Sequence, residues 1–166
     1  MTAVAISARL MLLLAFVMSA AASLRADDTS KDPLAVAYGE TIYVPAFSRI
    51  FTDEKRSQPL ASTLIVHNVD PSNSIEVTNV RYYDQAGALV RNLLDEPHTL
   101  APYASTDFLT ELSDTRGGVG ANYIVEWRAN LPVLSPIAEA VMIGGTGTHG
   151  ISFTSRGRVI ARSTSP

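Results

Sequence analysis

The sequence predicts an all-β fold. All nine prolines and all ten glycines stand at or beyond Pro33, a density that leaves little room for helices of the usual length, about 11 residues. Between these breakers lie short runs rich in Val, Ile, Thr and Tyr, residues that suit a pleated, half-buried surface. The runs recur at roughly 8–12-residue spacing without strand–helix alternation. Together these observations predict a single immunoglobulin-like antiparallel β-sandwich of about seven to nine short strands, with a small barrel or jelly roll as the alternative.

Each element has its own signal. Thr41 to Phe47 (TIYVPAF) is a first strand, which Pro45 assigns to a sheet edge. Leu60 to Asn68 alternates, with Leu60, Ser62, Leu64 and Val66 on one face and Thr63, Ile65 and His67 on the other. Asp70-Pro71-Ser72-Asn73 is a turn by composition. Ile75 to Tyr83 and Ala88 to Leu93 form a hairpin around Asp84-Gln85-Ala86-Gly87, the glycine supplying positive φ. Ser105 to Leu112 fits a strand or a short helix, and strand is the expectation. Arg116 to Gly120 is a flexible glycine loop. Ala121 to Ala129 sets Tyr123, Val125 and Trp127 against Ile124, Glu126 and Arg128. Ile137 to Ile143, Ile151 to Thr154 and Arg158 to Ala161 complete the set.

The N-terminus speaks to location. Arg9 is the only charge before Arg25, and Leu10 to Ala22 is an apolar run broken only by Ser19. Small residues follow, which makes residues 1–26 a secretory signal peptide cut between 22 and 26. The run is too short for the ~20 residues of a membrane-spanning helix, and no later segment is a span. The organisation expected is a leader at 1–26, a disordered polar segment at 27–38, and a β-sandwich domain at 39–162. The destination is the periplasm, with secretion beyond the cell as the alternative. Removing 26 residues leaves 140, with 11 basic and 16 acidic side chains and a net charge of −5. That balance excludes a nucleic-acid binder, which needs a basic face. The absence of cysteine excludes disulfides, a thiol nucleophile and a thiolate metal site.

Several motifs fail on their context. Gly145-Thr-Gly147-Thr-His-Gly150 spells G-x-G-x-x-G, but strand and turn residues follow it where a dinucleotide site needs a helix. No acidic residue stands after Glu139 to hold a ribose. His67, His98 and His149 have no short-range partners for a metal. No G-x-S-x-G occurs, and Asp53-Glu54 and Asp95-Glu96 read as loop solvation. Trp127 reads as a core anchor rather than a sugar-stacking platform, and Glu126 and Arg128 as cross-strand pairing residues. No catalytic, cofactor or metal residues are expected. Arg156 and Arg158, clustered with Arg162 near the C-terminus, are the candidates to receive a carboxylate or phosphate from a ligand or partner.

From Tyr43 to Ile160 the ordered pieces YVPAFSRIF, LASTLIVHNVDP, VRYYDQAGALVR, LAPYASTDF, GGVGANYIVEWRA, EAVMIG and GISFTSRGRVI resemble the bacterial family catalogued as domain of unknown function 3124. The resemblance implies a small exported bacterial domain and no activity or site residues. Some members of that family look lipid-anchored, and without cysteine this chain is expected to be free in the periplasm. The functional expectation is a non-enzymatic binding or interaction module for an unknown envelope protein or small ligand, without cofactor. The alternative is an enzyme or metal-binding protein whose site is assembled from residues distant in sequence.

Overall fold

The computed structural model describes residues 35–145 and 150–165. The leader at 1–26 and the polar segment up to residue 34 lie outside these residues. Among the described residues there are eleven strands: β1 (Val36–Pro45), β2 (Arg49–Asp53), β3 (Arg56–His67), β4 (Ile75–Tyr83), β5 (Leu89–Asn92), β6 (His98–Leu100), β7 (Ser105–Thr110), β8 (Asn122–Leu134), β9 (Ile137–Gly144), β10 (Ile151–Arg156) and β11 (Arg158–Ser163). The expected count of about seven to nine is exceeded because β2 and β6 are short and mostly exposed, with no alternation to announce them. β1 begins at Val36, within the segment 27–38 read as disordered.

All pairings are antiparallel and form two sheets. One runs β11-β1-β8-β4-β5, with β6 also on β4; the other runs β10-β9-β3-β2, with β7 also on β3. The all-β sandwich read from the sequence is therefore the fold found. Its core is the meeting of two alternating faces. Ile42, Val44, Val77, Val80, Tyr82, Tyr123, Val125 and Trp127 come from the first sheet; Leu60, Leu64, Val66, Ala138, Ala140 and Met142 come from the second. The Tyr123 hydroxyl crosses between them to the Thr110 hydroxyl at 2.9 Å, which satisfies a polar atom at the core's centre.

Two expectations are corrected. β1 lies between β11 and β8 instead of at an edge. Ala46 N–H donates to Ala121 O, so the Pro45 nitrogen faces the opposite side, where pairing with β11 has already ended at Tyr43. The glycine loop at 116–120 is pinned rather than flexible. Buried Ser48 accepts from Gly118 N–H through its hydroxyl at 2.8 Å, and Ser48 and Gln85 N–H donate to the Gly118 and Gly117 carbonyls. Ser105–Thr110 is a strand, as expected.

Candidate functional site

The chain divides the arginine cluster instead of assembling it. Arg156 ends β10 opposite Glu139 in the five-stranded sheet, and Arg158 opens β11 opposite Tyr43 in the six-stranded sheet. Between them Gly157 carries the chain from one sheet to the other. A Cβ there would stand 2.7 Å from Ile42 Cγ2 and 2.8 Å from Ala138 O, so only glycine makes the crossing. Arg162 is committed elsewhere: its guanidinium donates to the buried Glu40 carboxylate at 2.8 Å. Arg156 and Arg158 make no ion pair among the described residues.

The remaining candidates separate too. His67 ends β3, His98 pairs with Val77 in the other sheet, and His149 lies outside the described residues. Among the described residues no group of three or more His, Asp or Glu could hold a metal ion. Past Gly150 the chain runs straight into β10, which pairs with β9, where a dinucleotide loop would need a helix. Trp127 is 3% exposed and sits in the core.

One end of the five-stranded sheet gathers side chains of several kinds. A hollow of about 290 Å³ is lined by His67, Asn68, Tyr103, Ile137, Glu139 and Arg156. Roomier hollows exist, but most of their charged walls are paired. The hollow of about 490 Å³ is walled by Glu76 and Arg128, which pair with each other. In that of about 370 Å³, Arg116 forks onto Asp114 at 2.8 and 2.7 Å and holds its carboxyl below the usual range.

Tyr103 distinguishes the smaller hollow. Ala104 N–H donates to Ala101 O at 3.0 Å, closing a turn with Pro102 and Tyr103 at its centre. Pro102 presets the first central position, and Tyr103 takes φ +62° at the second, a place glycine or asparagine normally fills. A bulky residue there costs about 1–2 kcal/mol. Tyr103 is the only non-glycine residue with positive φ among those described, and it is 73% exposed, so no packing rewards the strain. Asn68, 1% exposed, enforces it. Its N–H donates to Ala104 O at 2.9 Å and its side-chain amide to Ala101 O at 3.0 Å, one bond at each end of the turn.

Beside Tyr103 the outward face of the five-stranded sheet mixes apolar and polar side chains, set abreast by register. Thr63 lies between Val141 and Leu109, Ile65 between Glu139 and Asp107, and His67 between Ile137 and Ser105. Leu109 and Ile143 are 53% and 58% exposed. The outward face of the other sheet is laced by the ion pairs Arg81–Glu126 and Arg128–Glu76, the cross-strand role expected of Glu126 and Arg128. Sequence reasoning singled out Arg156 and weighed His67, but it missed Tyr103. The available signal was a proline followed by a bulky residue in a turn that wants glycine.

No curated protein matches the chain. A solved structure, described as "Crystal Structure of Thermotoga maritima 1070", is similar at 11% identity with a TM-score of 0.44, over 76% of this chain and 97% of that one. The model of the family described as "Protein of unknown function (DUF3124)" matches residues 39–160, and the chain belongs to that family.

Proposed function

We propose that this protein is a non-enzymatic binding module of the bacterial envelope, exported by its N-terminal leader, that engages a partner through the outward face of the five-stranded sheet around Tyr103. The observation that carries the reading is Tyr103 itself, an exposed aromatic held at φ +62° by a buried asparagine. Backbone strain that packing does not reward collects where a side chain must be presented. Tyrosine and arginine are also the residues around which binding energy concentrates. Arg156 and His67 offer hydrogen-bond donors beside the ring, and Ile137, Val141 and Ile143 offer apolar area. Arg158, opposite Tyr43 on the other sheet, is not part of this surface.

A photocrosslinking residue at Tyr103, with Tyr43 on the opposite sheet as the control position, tests the reading in the cells that make the protein. The expected result is a discrete crosslinked product from position 103 and none from 43. Tyr103→Gly, probed from a crosslinker at Ile137, is expected to lose that product while the unfolding free energy stays level or rises by up to about 1 kcal/mol as the strain is relieved. A product of equal yield from both positions, or one that survives Tyr103→Gly, overturns the proposal.

A further inference from the structure

We infer that the free edge of β10 accepts an extended acidic segment of a partner polypeptide as an added strand; this rests on the binding surface proposed above and names the chemistry of its occupant. β10 is the last strand of its sheet, and its register with β9 runs unbroken from Ile151 to Arg156. Gly157 N–H donates to Ala138 O at 2.8 Å, so by the antiparallel alternation Ser155, Phe153 and Ile151 also bond to β9. Ser152, Thr154 and Arg156 therefore aim both N–H and C=O away from the sheet. Among the described residues no side chain bonds these groups.

Every other margin is protected in a way edge strands commonly are. β11, β2 and β5 carry register shifts, and β6 is three residues long. The free edge of β7 is capped where the Arg91 guanidinium donates to Leu109 O at 3.1 Å. β10 has no bulge, proline or lysine, and its inward side chains hold it in place. Phe153 stacks edge-on against Phe47 at 5.5 Å, and the Ser155 hydroxyl bonds to Pro45 O. An open, straight, anchored edge is the template that strand addition requires.

Charge selects the occupant. After Glu139 the chain holds no Asp or Glu, and Arg156, without an ion pair among the described residues, closes the β10 edge on its C-terminal side. A segment whose carboxylates fall beside this guanidinium gains a charge-assisted bond at the end of the ladder.

The test uses the purified chain and a short alternating Thr/Val peptide with two glutamates at one end. Amide exchange at Ser152, Thr154 and Arg156 is expected to slow by about tenfold or more on saturation. A peptide with lysines in place of the glutamates is expected to bind about tenfold more weakly, as is the glutamate peptide to Arg156→Ala. Thr154→Pro removes one outward N–H and no bond to β9; it is expected to abolish binding with the unfolding midpoint nearly unchanged. If that variant does not fold, Ser152→Pro and the exchange data on the natural chain decide. Unchanged exchange at the three amides overturns the inference, as does equal binding of the lysine peptide. Protection that grows with protein concentration in the absence of peptide also overturns it, in favour of self-pairing. Crosslinking from Ile137 that is lost in Tyr103→Gly but complete in Thr154→Pro removes strand addition and leaves the wider surface standing; the reverse removes the Tyr103 reading alone.

Discussion

The side-chain amide of Asn68 donates to the carbonyl of Ala101 at 3.0 Å, and through this bond a residue at the end of one strand sets the conformation of an exposed turn. The same amide nitrogen reaches Leu100 O at 3.1 Å and Asn73 O at 2.9 Å. Three carbonyls, one from the end of β6 and two from turns, thus converge on one buried group. Asn68→Ala leaves all three without that donor, a loss expected to destabilise the fold by about 2–3 kcal/mol. Denaturant unfolding measures it, and Tyr103 is expected to lose its fixed orientation in the same variant, read as averaged aromatic NMR signals. Asn68→Asp removes the donor while keeping the shape and is expected to be no milder.

Asp70 makes the neighbouring turn sensitive to acid. Its carboxylate accepts from Ser72 N–H at 2.9 Å, Asn73 N–H at 2.8 Å and Leu134 N–H at 3.1 Å. The Ser72 bond leads in holding the carboxyl below its ordinary value, against the opposing pull of burial. A depressed carboxylate contributes stability that is complete above its unfolded value, about 3.9, and is lost as pH falls through the lower folded value. The acid limb of the stability profile is therefore expected to flatten in Asp70→Asn. That variant is also expected to be weaker than the natural chain at neutral pH by about 1–2 kcal/mol, since an amide cannot accept on both sides. Unfolding midpoints measured from pH 7 to pH 3 compare the two; parallel acid limbs would remove Asp70 from the account.

Much of this fold is legible in the sequence where one face of a strand is buried. β3 and β8 alternate because a sheet with one wet face imposes a period of two, and Trp127 is readable as core from Tyr123 and Val125 on the same face. What escapes is whatever depends on where strands end or shift. A register shift after Ala37 helps place Glu40 opposite Trp127, on the same side as the apolar Ile42 and Val44, where a charge is not expected. Arg156 and Arg158 look like one cluster in sequence, and a single crossing at Gly157 parts them. Tyr103 becomes conspicuous only once the Ala101–Ala104 turn is known to close.

The pinned loop at 116–120 predicts a narrow tolerance at Gly117. A Cβ added there would stand 2.0 Å from the Tyr82 hydroxyl and 2.7 Å from the Tyr82 ring carbon that bears it. Tyr82 is fully buried, and burial pushes its phenol up to about 12, so the ring cannot swing into solvent without giving up its place in the core. Gly117→Ala is expected to destabilise by about 1–3 kcal/mol. Adding Tyr82→Phe removes the shortest contact but not the ring, so it is expected to recover only part of the loss. Full recovery would mean that the hydroxyl alone sets the constraint, and an unaffected single variant would mean that the loop yields.

Glu40 and Arg162 supply the last tie, between the core and the final strand. The Glu40 carboxylate is buried, and one oxygen accepts from Arg162 and from the Ser135 hydroxyl, each at 2.8 Å. Among the described residues the other oxygen has no partner. Removing the cation leaves a buried charge with a single donor, and that penalty exceeds what the pair itself contributes. Arg162→Ala is expected to cost about 1–3 kcal/mol, less than a fully buried pair would, because the arginine is 39% exposed and water reaches it. Replacing both partners, Glu40→Leu with Arg162→Met, is expected to restore most of the stability, since neither charge then needs solvation. A double-mutant cycle by chemical denaturation separates the possibilities. If the double variant is as weak as Arg162→Ala, β11 is held by the ion pair itself; if it recovers, the apolar packing of Val159 against the core and the β1 ladder hold the strand, and the arginine serves to neutralise a carboxylate the core already contains.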